Sequence, residues 1–144
     1  MVENTRHNRT YSGVIAKLKK VGLRPTRQRI ALAKLLFENE DRHVSAEELY
    51  EEARAAGVSV SLATIYNTLH QFTEGGLMRE VVVEAGRSYF DTNTGDHHHF
   101  FHEDSGQLED IPSDQINVAE LPSAPPGTSV SRVDVIVRVS GSAD

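Results

Sequence analysis

Apolar residues recur at helical spacing through the first half of the chain and in short β-rich runs after it. In "TYSGVIAKLKKVGL", Val14, Ile15, Leu18 and Val21 share one helical face, with Lys17, Lys19 and Lys20 around them. Gly22 is a natural stop and Pro25 prevents continuation. Thr26 can cap a second helix, "TRQRIALAKLLFENE", whose buried stripe is Ile30, Ala33, Leu36 and Phe37. Ser45 and Glu48 make a capping box that opens a third helix, with Ala46, Leu49, Tyr50 and Ala53 inward and Gly57 at its end. Ser61 opens a fourth, "SLATIYNTLHQFTEGG", with Leu62, Ile65, Leu69 and Phe72 inward and Gly75-Gly76 as terminator. Its other face carries Thr64, Tyr66, Asn67, Thr68, His70 and Gln71. A merely solvated face would carry Lys and Glu; this one offers hydroxyls and amides.

Two β-rich runs follow in "LMREVVVEAGRSYFDT", with Glu84-Ala85-Gly86 as the turn of a hairpin. Helices followed by a hairpin are the order of a winged helix-turn-helix, the third and fourth helices forming the pair and the fourth entering a major groove. From residue 96 the pattern changes. "HHHFFHEDSG" reads as a strand, "SDQINVAELP" as a short helix, 122–127 as a loop and "SVSRVDVIVRVSG" as a clear strand. The expected fold is therefore α+β: a disordered N-terminus over 1–9, a winged-helix DNA-binding domain over 10–92, and a small α/β dimerisation and sensing domain over 93–144. About fifty residues bury too little apolar surface to stand alone, so a homodimer is expected, matched to palindromic double-stranded DNA. The terminal "GSAD" is expected to fray.

Composition sharpens this picture in two places. The net charge of −6 hides a strong asymmetry, because residues 1–34 carry nine Lys/Arg against one acidic residue while the rest is acidic. A basic segment on an acidic body suits contact with phosphate, although a solvated charge run would look the same. On that footprint Lys19, Lys20, Arg27 and Arg29 are the backbone cations. Thr64, Tyr66, Asn67 and His70 are the candidates for base edges or adjoining phosphates; Asn67 suits bidentate contact with adenine and an A·T-rich operator. No run of 18 apolar residues spans a membrane, and "MVENTRHNRTYSG" has no apolar leader core, so the expected location is cytoplasmic.

The second place is the metal chemistry. The chain contains no cysteine, so any metal is held by nitrogen and oxygen. Four of its seven histidines fall in "HHHFFH". On a strand His97 and His99 point one way and His98 the other. A metal-dependent enzyme would need an open coordination position and a general base. No H-E-x-x-H motif or candidate nucleophile supplies them, so no enzymatic activity is expected.

"GLRPTRQRIALAKLL", "HVSAEELYEEA", "SLATIYNTLHQFTEGGL" and "GRSYFDT", followed by the histidine cluster, resemble the ferric uptake regulator (Fur) superfamily from about Leu18 to Gly106. The resemblance implies a dimeric winged-helix regulator whose DNA affinity follows a bound metal or metal complex. It implies His43, Asp91, His97 and His99 as ligands of a regulatory site for manganese, zinc or iron(II), Asp91 standing where the family has glutamate. It also implies Arg24 as a contact to phosphate or a minor groove, and a bacterial, nucleoid-associated setting. The chain departs from the family pattern where a structural Cys-zinc pair would stand, at His102 to Gly106, so no such zinc is expected. Asn67 replaces a frequent arginine, and Asn117 and Val133 stand near the places of further ligands. A cysteine-poor chain with "IYNTLHQF" and "HHHF" is most similar to the iron response regulator (Irr) branch, which implies haem as the sensed ligand. Haem would use His97, His98 or His99 as axial ligand, with Phe100 and Phe101 lining its slot and a haem-supplying protein as a further partner. The functional expectation is thus an iron-responsive transcriptional regulator governed by haem, with a repressor that senses manganese, zinc or iron(II) directly as the alternative and an iron or haem carrier without DNA function as a third.

Overall fold

The computed structural model describes residues 12–141. The expected disorder over 1–9 and, apart from Gly141, the expected fraying of "GSAD" lie outside them. The fold is α+β and divides into two compact units, Met1–Thr94 and Gly95–Asp144.

The N-terminal unit holds helices α1 (12–20), α2 (Arg27–Phe37), α3 (Ala46–Ala55) and α4 (Leu62–Glu74), with strands β1 (His43–Val44), β2 (Arg79–Glu84) and β3 (Arg87–Asp91). Each of the last three helices opens on a hydroxyl: Thr26, Ser45 and Ser61 accept from the backbone N–H of Arg29, Glu48 and Thr64 at 3.2, 3.1 and 3.1 Å. Helices α1, α3 and α4 close alike, on a glycine with positive φ followed by an apolar residue. The N–H groups of Leu23, Val58 and Leu77 reach back to the carbonyls of Leu18, Ala53 and Phe72 at 2.8–2.9 Å, and all three side chains pack on the core. These local signals set the lengths of the helices before any long-range packing is considered.

The core is built from Leu18, Leu32, Leu36, Val44, Leu49, Ile65, Leu69, Phe72 and Phe90, each at most 1 % exposed. Three expectations shift. On α2 the buried residues are Leu32, Ala33 and Leu36, while Ile30 and Phe37 are half-buried, Phe37 lying 5.8 Å centroid to centroid from Phe72. Tyr50 on α3 is likewise half-buried. On α4 the buried arc is Ile65, Thr68, Leu69 and Phe72. Thr68 belongs to the inner face because it stands three residues from Ile65 and four from Phe72. Leu62, the first residue of the helix and on the margin of that arc, is 37 % exposed. Strand β1 has no sequence signal of its own and is defined by pairing. The sheet order is β1-β3-β2, with a bulge between Val82 and Glu84.

The C-terminal unit is a three-stranded sheet of β4 (His97–His102), β5 (Gln107–Pro112) and β6 (Ile136–Val139), in the order β5-β4-β6. β5 runs antiparallel to β4 and β6 runs parallel to it. Strand β5 was not foreseen, because "QLEDIP" shows charge where a strand signal would show apolar alternation. The expected short helix reduces to a 3-10 turn at Ser113–Gln115, and residues 116–135 form neither helix nor strand. The long C-terminal run contributes only four residues to the sheet. Among the described residues no helix is long and apolar enough to cross a membrane.

Candidate metal centre and nucleic-acid interface

Along β4 burial alternates strictly: His97, His99 and Phe101 are buried, and His98, Phe100 and His102 are half-buried. The sheet therefore gives the adjacent histidines two different environments. His97 and His99 lie edge to face with centroids 4.6 Å apart. The hairpin register sets His99 opposite Asp110, whose Oδ1 lies 3.3 Å from His99 Nε2 and 3.6 Å from His97 Nε2. Ligand atoms of these three residues lie within 4.8 Å of one another. His97 Nδ1 is 2.8 Å from the carbonyl oxygen of Gly95. A carbonyl can only accept, so Nδ1 carries a proton, and Nε2, which faces Asp110, is the ring nitrogen left to bind a cation. Two imidazole nitrogens and a carboxylate oxygen converging in this way fit a divalent first-row cation such as manganese, iron(II) or zinc. Asp110 was missed in the sequence; its signal is a cross-strand register that becomes visible only once β5 is recognised.

The other histidines of the run have separate work. His98 Nδ1 accepts from the backbone N–H of Val135 at 3.1 Å, tying the approach to β6 onto β4. His102 Nε2 is 2.9 Å from Glu109 Oε1. Phe100 and Phe101 point to opposite faces and do not line a common slot; Phe101 lies under the Arg138 guanidinium at 5.5 Å.

In the N-terminal unit the β1–β3 register sets His43 opposite Asp91, and β2 sets Arg79 on the other side of Asp91. Asp91 is 1 % exposed and its Oδ1 accepts from the Asn93 N–H at 2.9 Å. His43 meets Tyr89 edge-on at 6.2 Å. Arg42 holds this corner in place: its guanidinium grips both carboxylate oxygens of Glu52, and its backbone N–H donates to Thr92 Oγ1 at 2.9 Å. The Glu52 hydrogen bond raises the Arg42 pKa further above its ordinary value.

The candidate nucleic-acid face lies in the same unit. Lys19, Lys20, Arg24 and Arg27 are exposed. Arg29 is half-buried and braces the fold, donating to the Arg24 carbonyl at 3.0 Å and to Gln71 Oε1 at 3.1 Å. On α4, Tyr66, Asn67 and His70 are exposed, while Thr64 shares its hydroxyl with the Ser61 cap at 3.0 Å. The Tyr66 ring stacks on His70 at 6.5 Å, and His70 meets Phe90 of β3 edge-on at 5.5 Å. Tyr66 Oη donates to Glu47 Oε1 at 2.7 Å, which raises the phenol pKa above its ordinary value.

Comparison with known proteins matches residues 20–136 to the ferric uptake regulator family. The chain belongs to that family. It is 36 % identical over 104 residues to the ferric uptake regulation protein of Shigella flexneri, covering 72 % of this chain and 70 % of that one. It is 35 % identical over 106 residues to the peroxide-responsive repressor PerR of Staphylococcus aureus, covering 74 % and 71 %. Among solved structures, the Vibrio cholerae ferric uptake regulator superposes with a TM-score of 0.70 at 27 % identity, over 88 % of this chain and 98 % of that one. The Pseudomonas aeruginosa ferric uptake regulator with manganese gives 0.69 at 26 %, over 90 % and 98 %. With no cysteine, this member lacks the donors of a thiolate zinc site.

Proposed function

We propose that this protein is a metal-responsive transcriptional regulator that binds double-stranded DNA as a homodimer, through α4 and the basic segment before it. Its ligand is a divalent cation held by His97, His99 and Asp110. The family resemblance adds His43 and Asp91 as further donors. The observation that carries this reading is the convergence of His97, His99 and Asp110, with His97 oriented by the Gly95 carbonyl. The structural relative with manganese supports the same class of ion. Asn67, exposed on α4, supports an A·T-rich palindromic operator, and Lys19, Lys20, Arg24 and Arg27 supply phosphate contacts.

Haem control, as in the iron response regulator branch, is the finer reading suggested by the histidine run. It draws on the same residues, His97, His98 and His99, and geometry favours it less. Two imidazoles 4.6 Å apart cannot bracket one macrocycle. His98 already spends its Nδ1 lone pair on Val135, while iron at Nε2 would require a proton on Nδ1. The deciding experiment titrates DNA binding to the protein's own upstream region with manganese, zinc, iron(II) and haem separately. Affinity that follows a divalent ion, and loses that dependence in Asp110→Ala, supports the metal reading. Affinity that follows haem alone, with Asp110→Ala unaffected, overturns it.

A further inference from the structure

The Tyr66–Glu47 bond joins the exposed face of α4 to the first turn of α3 at a place where the chain would be expected to avoid negative charge. Glu47 and Glu48 both stand in that first turn, where the helix dipole favours the carboxylate. They and Glu80 line a cleft of about 530 Å³ beside Tyr66 and His70, against Arg87. Phosphate would be repelled from this wall. Beside these carboxylates a duplex reaching Tyr66 meets less repulsion with a base edge than with its backbone.

Hydrogen-bond chemistry narrows what that is. A phenol alone can donate or accept, so it meets phosphate oxygens and base acceptors indiscriminately. With its proton committed to Glu47 at 2.7 Å, Tyr66 offers only lone pairs, as does the carboxylate beside it. The ring cannot swing away easily, since it is stacked on His70, which is itself braced by Phe90. We propose that Glu47 is a specificity-determining positioning residue: by taking the phenolic proton of Tyr66 it makes an all-acceptor pair that selects a base edge bearing an amino group, adenine N6 or cytosine N4. In the major groove those amines are donors, whereas adenine N7, guanine N7 and O6 and thymine O4 are acceptors. The pair thus contributes discrimination by rejecting phosphate and acceptor edges, and Glu47 lowers non-specific affinity.

This inference rests on the reading that α4 meets DNA, and the test separates the two. The full-length protein with manganese selects a duplex from a randomised library. Binding is then measured with adenine replaced by purine, or cytosine by 2-pyrimidinone, one position at a time. The wild type should lose about tenfold in affinity at one base pair of each half-site when its amino group is removed, a position told apart from any adenine read by Asn67 because its sensitivity persists in Asn67→Ala; which replacement does so identifies the base. Glu47→Gln should keep that sensitivity, because its amide oxygen still accepts from the phenol. Glu47→Ala and Tyr66→Phe should both lose it, and Glu47→Ala should bind random duplex more tightly than the wild type. The inference is overturned by full amino-group sensitivity at that position in Glu47→Ala or in Tyr66→Phe, by its loss there in Glu47→Gln, or by a selected duplex whose every amino-sensitive position is lost in Asn67→Ala. A wild type that does not prefer its selected duplex to random sequence overturns the DNA-binding reading instead.

Discussion

His99 and Asp110 stand directly opposite one another on β4 and β5, Nε2 to Oδ1 at 3.3 Å, with the histidine 2 % and the aspartate 50 % exposed. A buried nitrogen facing a half-solvated carboxylate leaves an ion a way in from the Asp110 side. Replacing Asp110 with Asn keeps the shape and removes the charge that pairs with a cation. Manganese affinity measured by calorimetry should fall at least about tenfold, the scale on which ligand-shell changes act. The far-UV circular dichroism should not change. Undiminished affinity would remove Asp110 from the site.

His98 predicts the opposite pattern. His98→Ala leaves the Val135 N–H without its acceptor, a loss of about 1 kcal/mol at a half-buried position. His98→Asn, whose side-chain oxygen also accepts, should recover part of that stability in chemical denaturation. Manganese affinity should stay within about threefold of the wild type in both, since the metal-facing side of β4 is untouched. Loss of metal binding at unchanged stability would instead place His98 among the ligands.

These two residues show where sequence legibility ended. The alternation that separates His98 from His97 and His99 is written in the strand period, and the caps and terminating glycines of the helices are written locally. Asp110 was invisible because its role comes from register, a relation between positions eleven residues apart that depends on a charged strand. The pairing of His43 with Asp91 is likewise a property of the β1–β3 ladder. The errors on α4 have a related origin: Leu62 is apolar but sits where the core has not yet begun, and Thr68 is polar but lies on the inner arc. Hydrophobicity named the type of face, and the packing partners set its limits.

Gly75 marks a close approach rather than a flexible point. A Cβ there would lie 3.1 Å from Val21 Cγ2 and 3.2 Å from Val21 Cβ, although the backbone of Gly75 is ordinary αR. Gly75→Ala should destabilise by about 1–3 kcal/mol through overpacking, and Val21→Ala should relieve part of that cost in the double mutant. At Gly76 the cause differs, because φ is +82° and nothing lies within 4 Å of the added atom. Gly76→Ala should cost about 1–2 kcal/mol, and Val21→Ala should not relieve it. Thermal or urea denaturation of the three single and two double variants separates the two mechanisms; relief of both by Val21→Ala would refute the steric account.

Metal binding should also register in the melting temperature of the wild type. An ion that binds the native state alone adds stability as the logarithm of its excess over Kd, about 2.7 kcal/mol at a hundredfold excess. For a chain of this size that is a rise of about 5–10 °C. A chelator should return the melting temperature to its metal-free value without altering helix content, because no cysteine holds a scaffold metal and the helix caps and core form from the chain alone. The double variant His97→Ala/His99→Ala should melt at the same temperature with and without manganese. Scanning calorimetry of wild type and variant, each with and without the ion, reads this directly. A rise of equal size in the double variant would show that manganese binds elsewhere, and would detach the β4–β5 hairpin from the sensing of metal.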